Sequence, residues 1–198
     1  MGPAVDLWSR YGVLGLAGRA WSRTFGRLLD VGLVLEWELE TSACRVAPVP
    51  GYDYARAATV DSTEARDAAA ILRVSLEGRE GQDLFVARSG GRVVGCTWND
   101  PVRGGRASQR GVAVLAPHRR KGLAASLLLF QAVCLAGTGV TAVDYRTPWG
   151  NRASRRLFEK LGARRIRAYV VLSLLGTRGR AFEVPRWLDR RPPGRRPR

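Results

Sequence analysis

The sequence predicts a mixed α/β fold of the α+β kind, with a central β-sheet flanked by helices. Two observations carry this: segments of period-two hydrophobicity alternate with segments of helical period, and glycines and prolines punctuate the boundaries between them. A third is the uncharged run 122–143, apolar nearly all round, which reads as a helix buried between a sheet and a further layer. The order read along the chain is strand, helix, hairpin, strand, helix, strand, helix, strand. At 198 residues, 45% hydrophobic and 25% charged, the composition is that of a folded chain with one sizeable core rather than a disordered one.

Residues 1–50 read as an N-terminal extension made of an amphipathic helix plus a strand. Leu7, Trp8, Trp21 and Phe25 interleave with Arg10, Arg19, Arg23 and Arg27. That basic amphipathic pattern in residues 1–30 fits docking on the domain or peripheral contact with an anionic membrane. It does not fit a secretory signal, because Asp6 precedes any basic region and the apolar run 12–18 is short and glycine-broken. In "LVLEWELE", residues 33–40, Leu33, Leu35, Trp37 and Leu39 alternate with Val34, Glu36, Glu38 and Glu40, giving a strand with one carboxylate-bearing face.

Residues 51–176 read as the main domain. Asp61 and Glu64 form a capping-box pair ahead of Ala65, Ala68, Ala69, Leu72 and Leu76 at helical spacing. Residues 83–98 read as a hairpin turning at Ser89-Gly90-Gly91. Then come a strand over 110–115, a helix over about 120–136, a strand over 140–145, a helix over 151–161 that stops at Gly162, and a strand over 165–175. Residues 177–198 are a basic Pro/Arg-rich tail whose end, "DRRPPGRRPR", reads as solvated and disordered. A membrane span over 122–143 is disfavoured: Gln131 sits mid-run, Gly137-Thr138-Gly139 breaks it, and what remains reaches about 25 Å, short of the ~30 Å hydrocarbon core.

The net charge of +16 is the compositional anomaly. Only Lys121 and Lys160 are lysines, so the excess is arginine, which suits phosphate and carboxylate partners. Nucleic acid is disfavoured, since no zinc-finger or RNA-binding aromatic signature is visible and the arginines are spread over the chain. Cys44, Cys96 and Cys134 are odd in number and widely spaced, which points away from disulfides and zinc and toward a reducing cytoplasm. His118 is the lone histidine, so a histidine-based metal cluster is excluded.

"APHRRKGLA", residues 116–124, joins a strand to the long apolar helix. A helix N-terminus offers unpaired N–H groups and the positive end of the dipole, and Gly122 and Ala124 let a phosphate approach the backbone. Arg119, Arg120 and Lys121 add charge at the same place.

These residues resemble the acyl-CoA-binding motif of the GNAT acetyltransferase superfamily, with Arg119, Gly122 and Ala124 at its three signature positions. A second stretch, "NRASRRLFEKLGARR", resembles that family's other motif through Asn151, Ser154, Phe158, Lys160, Leu161 and Gly162. The resemblance covers about residues 54–175 and implies a GNAT-like, splayed sheet. It also implies a cofactor, acetyl-CoA or another acyl-CoA, and no metal. The pyrophosphate would lie against backbone N–H groups of residues 120–125, Leu123 included, and the pantetheine arm along residues 112–115. An N–H near Val112 to Val114 would polarise the thioester, and Asn151 would touch the cofactor from the next helix. The family often has tyrosine, as proton donor, where Phe158 stands.

The implied reaction is attack of an amine on the thioester, acetyl transfer foremost. Asp144, Tyr145 and Glu36 are candidates for its base and acid by residue type, with Glu38 and Tyr169 beside them. The expected acceptor is a small-molecule or peptide amine. Alternatives are a longer acyl-CoA donor, an acyl carrier protein as donor and partner, and a CoA-binding domain without turnover.

Overall fold

The computed structural model describes residues 29–57, 63–72, 82–174 and 180–184. The expected helix in residues 1–28, Asp61 of the capping box and the tail beyond 184 lie outside these described residues. Among the described residues the strands and α-helices follow one another as β1 (Leu29–Glu40), β2 (Asp53–Arg56), α1 (Thr63–Leu72), β3 (Asp83–Ser89), β4 (Arg92–Asn99), β5 (Arg106–Val114), α2 (Leu123–Ala136), β6 (Ala142–Pro148), α3 (Arg152–Lys160), β7 (Arg164–Leu174) and β8 (Arg180–Glu183).

The chain divides into two compact units. The larger comprises Glu38–Tyr145 with Arg156–Arg164, the smaller Met1–Trp37, Arg146–Arg155 and Arg165–Arg198. In the larger unit the hydrogen-bonded order is β2-β3-β4-β5-β6, antiparallel throughout except for the parallel pair β5–β6. In the smaller unit β1 lies between β6 and β7, and β7 pairs antiparallel with β8 from Tyr169 opposite Glu183 to Leu172 opposite Arg180. This is the mixed sheet with flanking helices that the sequence predicts.

The β3–β4 hairpin turns at Gly90 and Gly91, whose φ of 56° and 76° are the left-handed values that a two-residue turn matched to strand twist requires. Residues from Val93 to Asn99 are all buried, so β4 shows no apolar/polar alternation. Burial on both faces explains it. On one face Ala65 and Ala68 of α1 pack with Leu84, Val86, Cys96 and Trp98. On the other, Phe130 of α2 meets Phe85 edge-on at 6.2 Å.

The α2 sequence, "LAASLLLFQAVCLA", is rich in strong helix formers and buries Leu123, Leu127, Leu128, Ala132 and Leu135. It ends where Gly139 takes φ 85° and Val140 N–H bonds back to the Leu135 carbonyl at 3.1 Å. At 14 residues it is too short to span a bilayer, and no helix among the described residues is long and apolar enough to cross one.

Several elements and boundaries differ from expectation. The short strands β2 and β8 carry no sequence alternation long enough to mark them. Strand β5 begins at Arg106 rather than Arg110, because its first residues pair with β6. Helix α2 begins at Leu123 rather than Arg120, for a reason that belongs to the site.

Leu128 is fully buried in α2, so Leu128→Ala removes apolar contact and leaves a void. The expected cost is about 2–5 kcal/mol, read as a lower urea midpoint by far-ultraviolet circular dichroism with unchanged m.

Candidate active site

The chain leaves β5 through a 3-10 turn, Ala116–His118, and then reverses twice. Arg120 has φ 60° and Gly122 φ 84°, both left-handed, so neither can belong to the following helix. This is why α2 starts three residues later than its charge pattern indicates. Glycine takes that conformation at Gly122 without cost, whereas Arg120 is held in it against its preference.

Gly122 is the N-cap of α2, and no side chain caps the helix. The Gly122 carbonyl accepts from Ser126 N–H at 3.1 Å, while the N–H groups of Leu123, Ala124 and Ala125 open the helix. Leu123 is buried and anchors the turn; Arg120, Lys121 and Gly122 are exposed. Two contacts brace it: Ser126 Oγ donates to the Ala47 carbonyl at 2.7 Å, and Tyr52 Oη lies 3.0 Å from His118 Nδ1.

The sheet opens just before this turn. The β5–β6 ladder runs from Arg106 opposite Ala142 to Gln109 opposite Tyr145 and stops, while β5 continues beside β4 from Gly111 to Val114. Leu115 N–H bonds to the Val94 carbonyl at 2.9 Å, which sets the alternation of the β4–β5 ladder. By that alternation Val112 and Val114 turn their N–H and C=O groups away from β4, past the last β6 partner. Arg119 Nε reaches back to the Val114 carbonyl at 2.8 Å.

The candidate carboxylates are all engaged by arginine. Both oxygens of Asp144 accept from Arg106, at 3.0 and 2.5 Å, and the same guanidinium donates to Glu38 Oε2 at 2.6 Å. Arg164 donates to Glu38 Oε1 at 2.9 Å. These bonds, Arg106 first and Arg164 second, hold the Glu38 carboxyl below its ordinary value, and Asp144 with Glu38 pushes the Arg106 guanidinium up. In the smaller unit Glu36, 4% exposed, accepts from Arg146 Nε at 2.9 Å and from the Tyr169 hydroxyl at 2.6 Å.

Tyr145 is fully buried, its ring stacked on Phe158 at 4.8 Å, and its hydroxyl has no hydrogen-bond partner among the described residues. Burial pushes that hydroxyl above the ordinary tyrosine value, with Cys44 and Asp144 adding to the shift. Asn151 opens α3 in the smaller unit, where its Oδ1 accepts from Ser154 N–H at 3.1 Å. The larger unit thus brings together Val112, Val114 and the turn Arg119–Ala124, and separately Asp144, Tyr145 and Phe158. A cavity of about 530 Å³ in the same unit is lined by Glu38, Glu40, Arg45, Leu129, Leu161 and Arg164, and by none of the predicted cofactor residues. No group of three or more metal-binding side chains occurs among the described residues.

Residues 80–162 match the family described as acetyltransferase (GNAT) domain. That stretch is similar to a GNAT acetyltransferase domain. Among solved structures, a GCN5-related N-acetyltransferase from Kribbella flavida is similar at TM-score 0.60 and 19% identity, over 81% of this chain and 65% of that one. A GNAT-family protein from Novosphingobium aromaticivorans is similar at TM-score 0.57 and 22% identity, over 73% and 64%. A tandem GNAT protein from the clavulanic acid biosynthesis pathway is similar at TM-score 0.57 and 16% identity, over 80% and 58%. At such identities the likeness is one of fold, and the chain spans less than two thirds of the length of each. No curated protein sequence matches it.

Sequence reasoning missed Arg106, which no motif marks, and the buried polar row of Thr97, Asn99, Gln109 and Gln131. One signal of that row was legible: Gln131 interrupts an apolar helix, and a buried amide demands partners.

The Glu38 pairing fixes a pH dependence. Its folded value is depressed, so the stability it contributes is present above the unfolded value of 4.5 and is lost as pH falls through the folded value. Glu38→Gln is therefore expected to lower Tm at pH 7, with the gap to wild type closing below pH 4.5. A gap that stays constant down to pH 3 shows that the carboxylate's charge adds nothing to stability.

Proposed function

We propose that the chain is an N-acyltransferase that moves an acyl group, acetyl foremost, from acyl-CoA to a primary amine. The observation that carries this reading is one continuous backbone surface. The β5 edge, with Val112 and Val114 facing away from β4, leads into a helix N-terminus that no side chain caps and that a left-handed glycine keeps open. Such a surface fits a ligand with amide groups along its length and a pyrophosphate at one end. Acyl-CoA has that form and supplies a thioester to be cleaved.

Each residue then has a defined part. The N–H groups of Leu123, Ala124 and Ala125 receive phosphate oxygens, and Arg119, Arg120 and Lys121 supply the charge. The edge groups of Val112 and Val114 pair with the arm, and Val112 N–H donates to the carbonyl oxygen as negative charge develops on it. Both oxygens of Asp144 already accept from Arg106, so in this reading the proton of the amine passes to solvent water. Tyr145 carries the one buried hydroxyl beside Phe158; burial keeps it protonated, so in this reading it donates a hydrogen bond to the sulfur as the thiolate leaves, and the thiolate takes its proton from solvent water.

The test is calorimetric titration with acetyl-CoA. Wild type is expected to bind, and Gly122→Glu to lose binding with an unchanged circular dichroism spectrum, because a carboxylate then stands at the helix N-terminus and a side chain at φ 84°. Retained affinity in that variant sinks the site assignment. Tyr145→Phe is expected to lower kcat by about 10²-fold or more with acetyl-CoA affinity unchanged; an undiminished kcat removes Tyr145 from the chemistry.

A further inference from the structure

The larger unit buries a row of polar side chains that neither the phosphate turn nor the β5 edge uses. Thr97, Asn99 and Gln131 are 0% exposed and Gln109 is 6% exposed. Their hydrogen bonds run in one direction. Asn99 Nδ2 donates to the Asp100 carbonyl at 2.8 Å, with Asp83 Oδ2 beyond it at 3.5 Å. Neither partner can donate, so the Asn99 amide has one orientation and its Oδ1 must accept. Gln131 Nε2 donates to that Oδ1 at 3.1 Å, which leaves Gln131 Oε1 to accept from the Thr97 hydroxyl at 3.4 Å. Thr97 has a single proton, so its oxygen in turn accepts from Gln109 Nε2 at 3.1 Å.

The end of the row is therefore fixed from its beginning. Gln109 is locked with Nε2 inward, and its Oε1 has no hydrogen-bond donor among the described residues. Each bond polarises the next, which strengthens that oxygen as an acceptor.

Position gives the oxygen its meaning. Gln109 is the last β5 residue on the ladder with β6, opposite Tyr145, and register partners share a face of the sheet. An arm laid from the phosphate turn back along Val114 and Val112 directs its thioester toward this rung.

We propose that Gln109 Oε1 is the acceptor-amine contact: it accepts an N–H of the incoming amine and so aims the lone pair at the carbonyl held by Val112. The inference rests on the acyltransferase reading and names the selectivity of that same site. A primary amine has two hydrogens when it attacks. One leaves as the amide forms, and the other stays on nitrogen and keeps the bond to Gln109 throughout. An alcohol or thiol has a single hydrogen and must lose it on attack, so the contact selects nitrogen nucleophiles. Thr97, Gln131 and Asn99 act through Gln109 as positioning residues.

Two thioether analogues of CoA isolate the contact. Both carry the acyl carbon on sulfur through a methylene, one ending in an N-methyl amide and the other in an N,N-dimethyl amide. They differ in one N–H at the place of the attacking nitrogen. By calorimetry on the full chain, the N-methyl form is expected to bind about tenfold tighter to wild type. The preference is expected to vanish in Gln109→Leu, to shrink in Thr97→Val, and to persist in Thr97→Ser, while all of them bind CoA alike. A purely structural role for the row would lower Tm and leave the preference intact. Equal binding of the two analogues to wild type, or a preference that survives Gln109→Leu, overturns the role of Gln109 and leaves the acyltransferase reading standing. Failure of CoA and both analogues to bind overturns that reading and this inference with it. Where Gln109→Leu does not fold, the Thr97→Val and Thr97→Ser pair decides.

Discussion

The parting of β5 from β6 after the Gln109–Tyr145 rung is the constraint on which the rest of the site depends. In a continuous ladder Val112 and Val114 would spend their N–H and C=O groups on a neighbouring strand. Here those groups face the gap, and each buried backbone group left unbonded would cost about 1–3 kcal/mol. One of the debts is met within the chain, by Arg119 Nε on the Val114 carbonyl. The connection from β5 to β6 passes through α2, so the helix N-terminus falls at the carboxyl end of β5 beside the gap. A ligand that pairs with the strand edge therefore reaches the positive end of the helix without bending away, which is the general reason such sites sit at strand ends in open α/β sheets.

Charge is distributed in keeping with this. Several acidic side chains of the sheet and its turns are taken up by arginines: Glu38 and Asp144 by Arg106, Glu36 by Arg146, Asp83 by Arg56, Asp100 by Arg110. Exposed pairs of this kind are each worth little, and their effect is mainly to neutralise. With 33 basic against 17 acidic residues, pairing cannot consume the excess. Arg120 and Lys121 form no ion pair among the described residues, so the turn keeps its positive charge, concentrated by the dipole of α2.

What was legible in the sequence followed from local chemistry. Gly90-Gly91 between two apolar runs marks a hairpin because both turn positions need left-handed backbone, and Gly122, in the turn before α2, also takes a left-handed φ. The start of α2 was misplaced because Arg120 adopts the left-handed region without any residue type to announce it. The ladder of Thr97, Gln109 and Gln131 was hidden for a different reason: its members lie on two strands and a helix, and only the folded sheet brings them within hydrogen-bonding distance. The same holds for Arg106, whose partners Glu38 and Asp144 are 68 and 38 residues away. Motifs record what a short stretch of backbone must do; they carry no trace of side chains that meet across elements.

The aromatic pair at the base of the gap shows how one site can meet a chemical need from a different element. Phenylalanine at 158 gives α3 no proton to offer, yet its ring lies flat against Tyr145, which has one. An unpartnered, fully buried hydroxyl is a standing cost of the order of 1–3 kcal/mol, and a second phenylalanine at that place would avoid it. Folding alone gives no reason to keep the oxygen. In the proposed reaction it has one: burial keeps the hydroxyl protonated while a thiolate forms nearby, and the rung with Gln109 fixes the strand that bears it. The two polar groups left unbonded at this rung are then complementary. Gln109 offers an acceptor for the hydrogen that stays on nitrogen, and Tyr145 a donor for the sulfur that leaves.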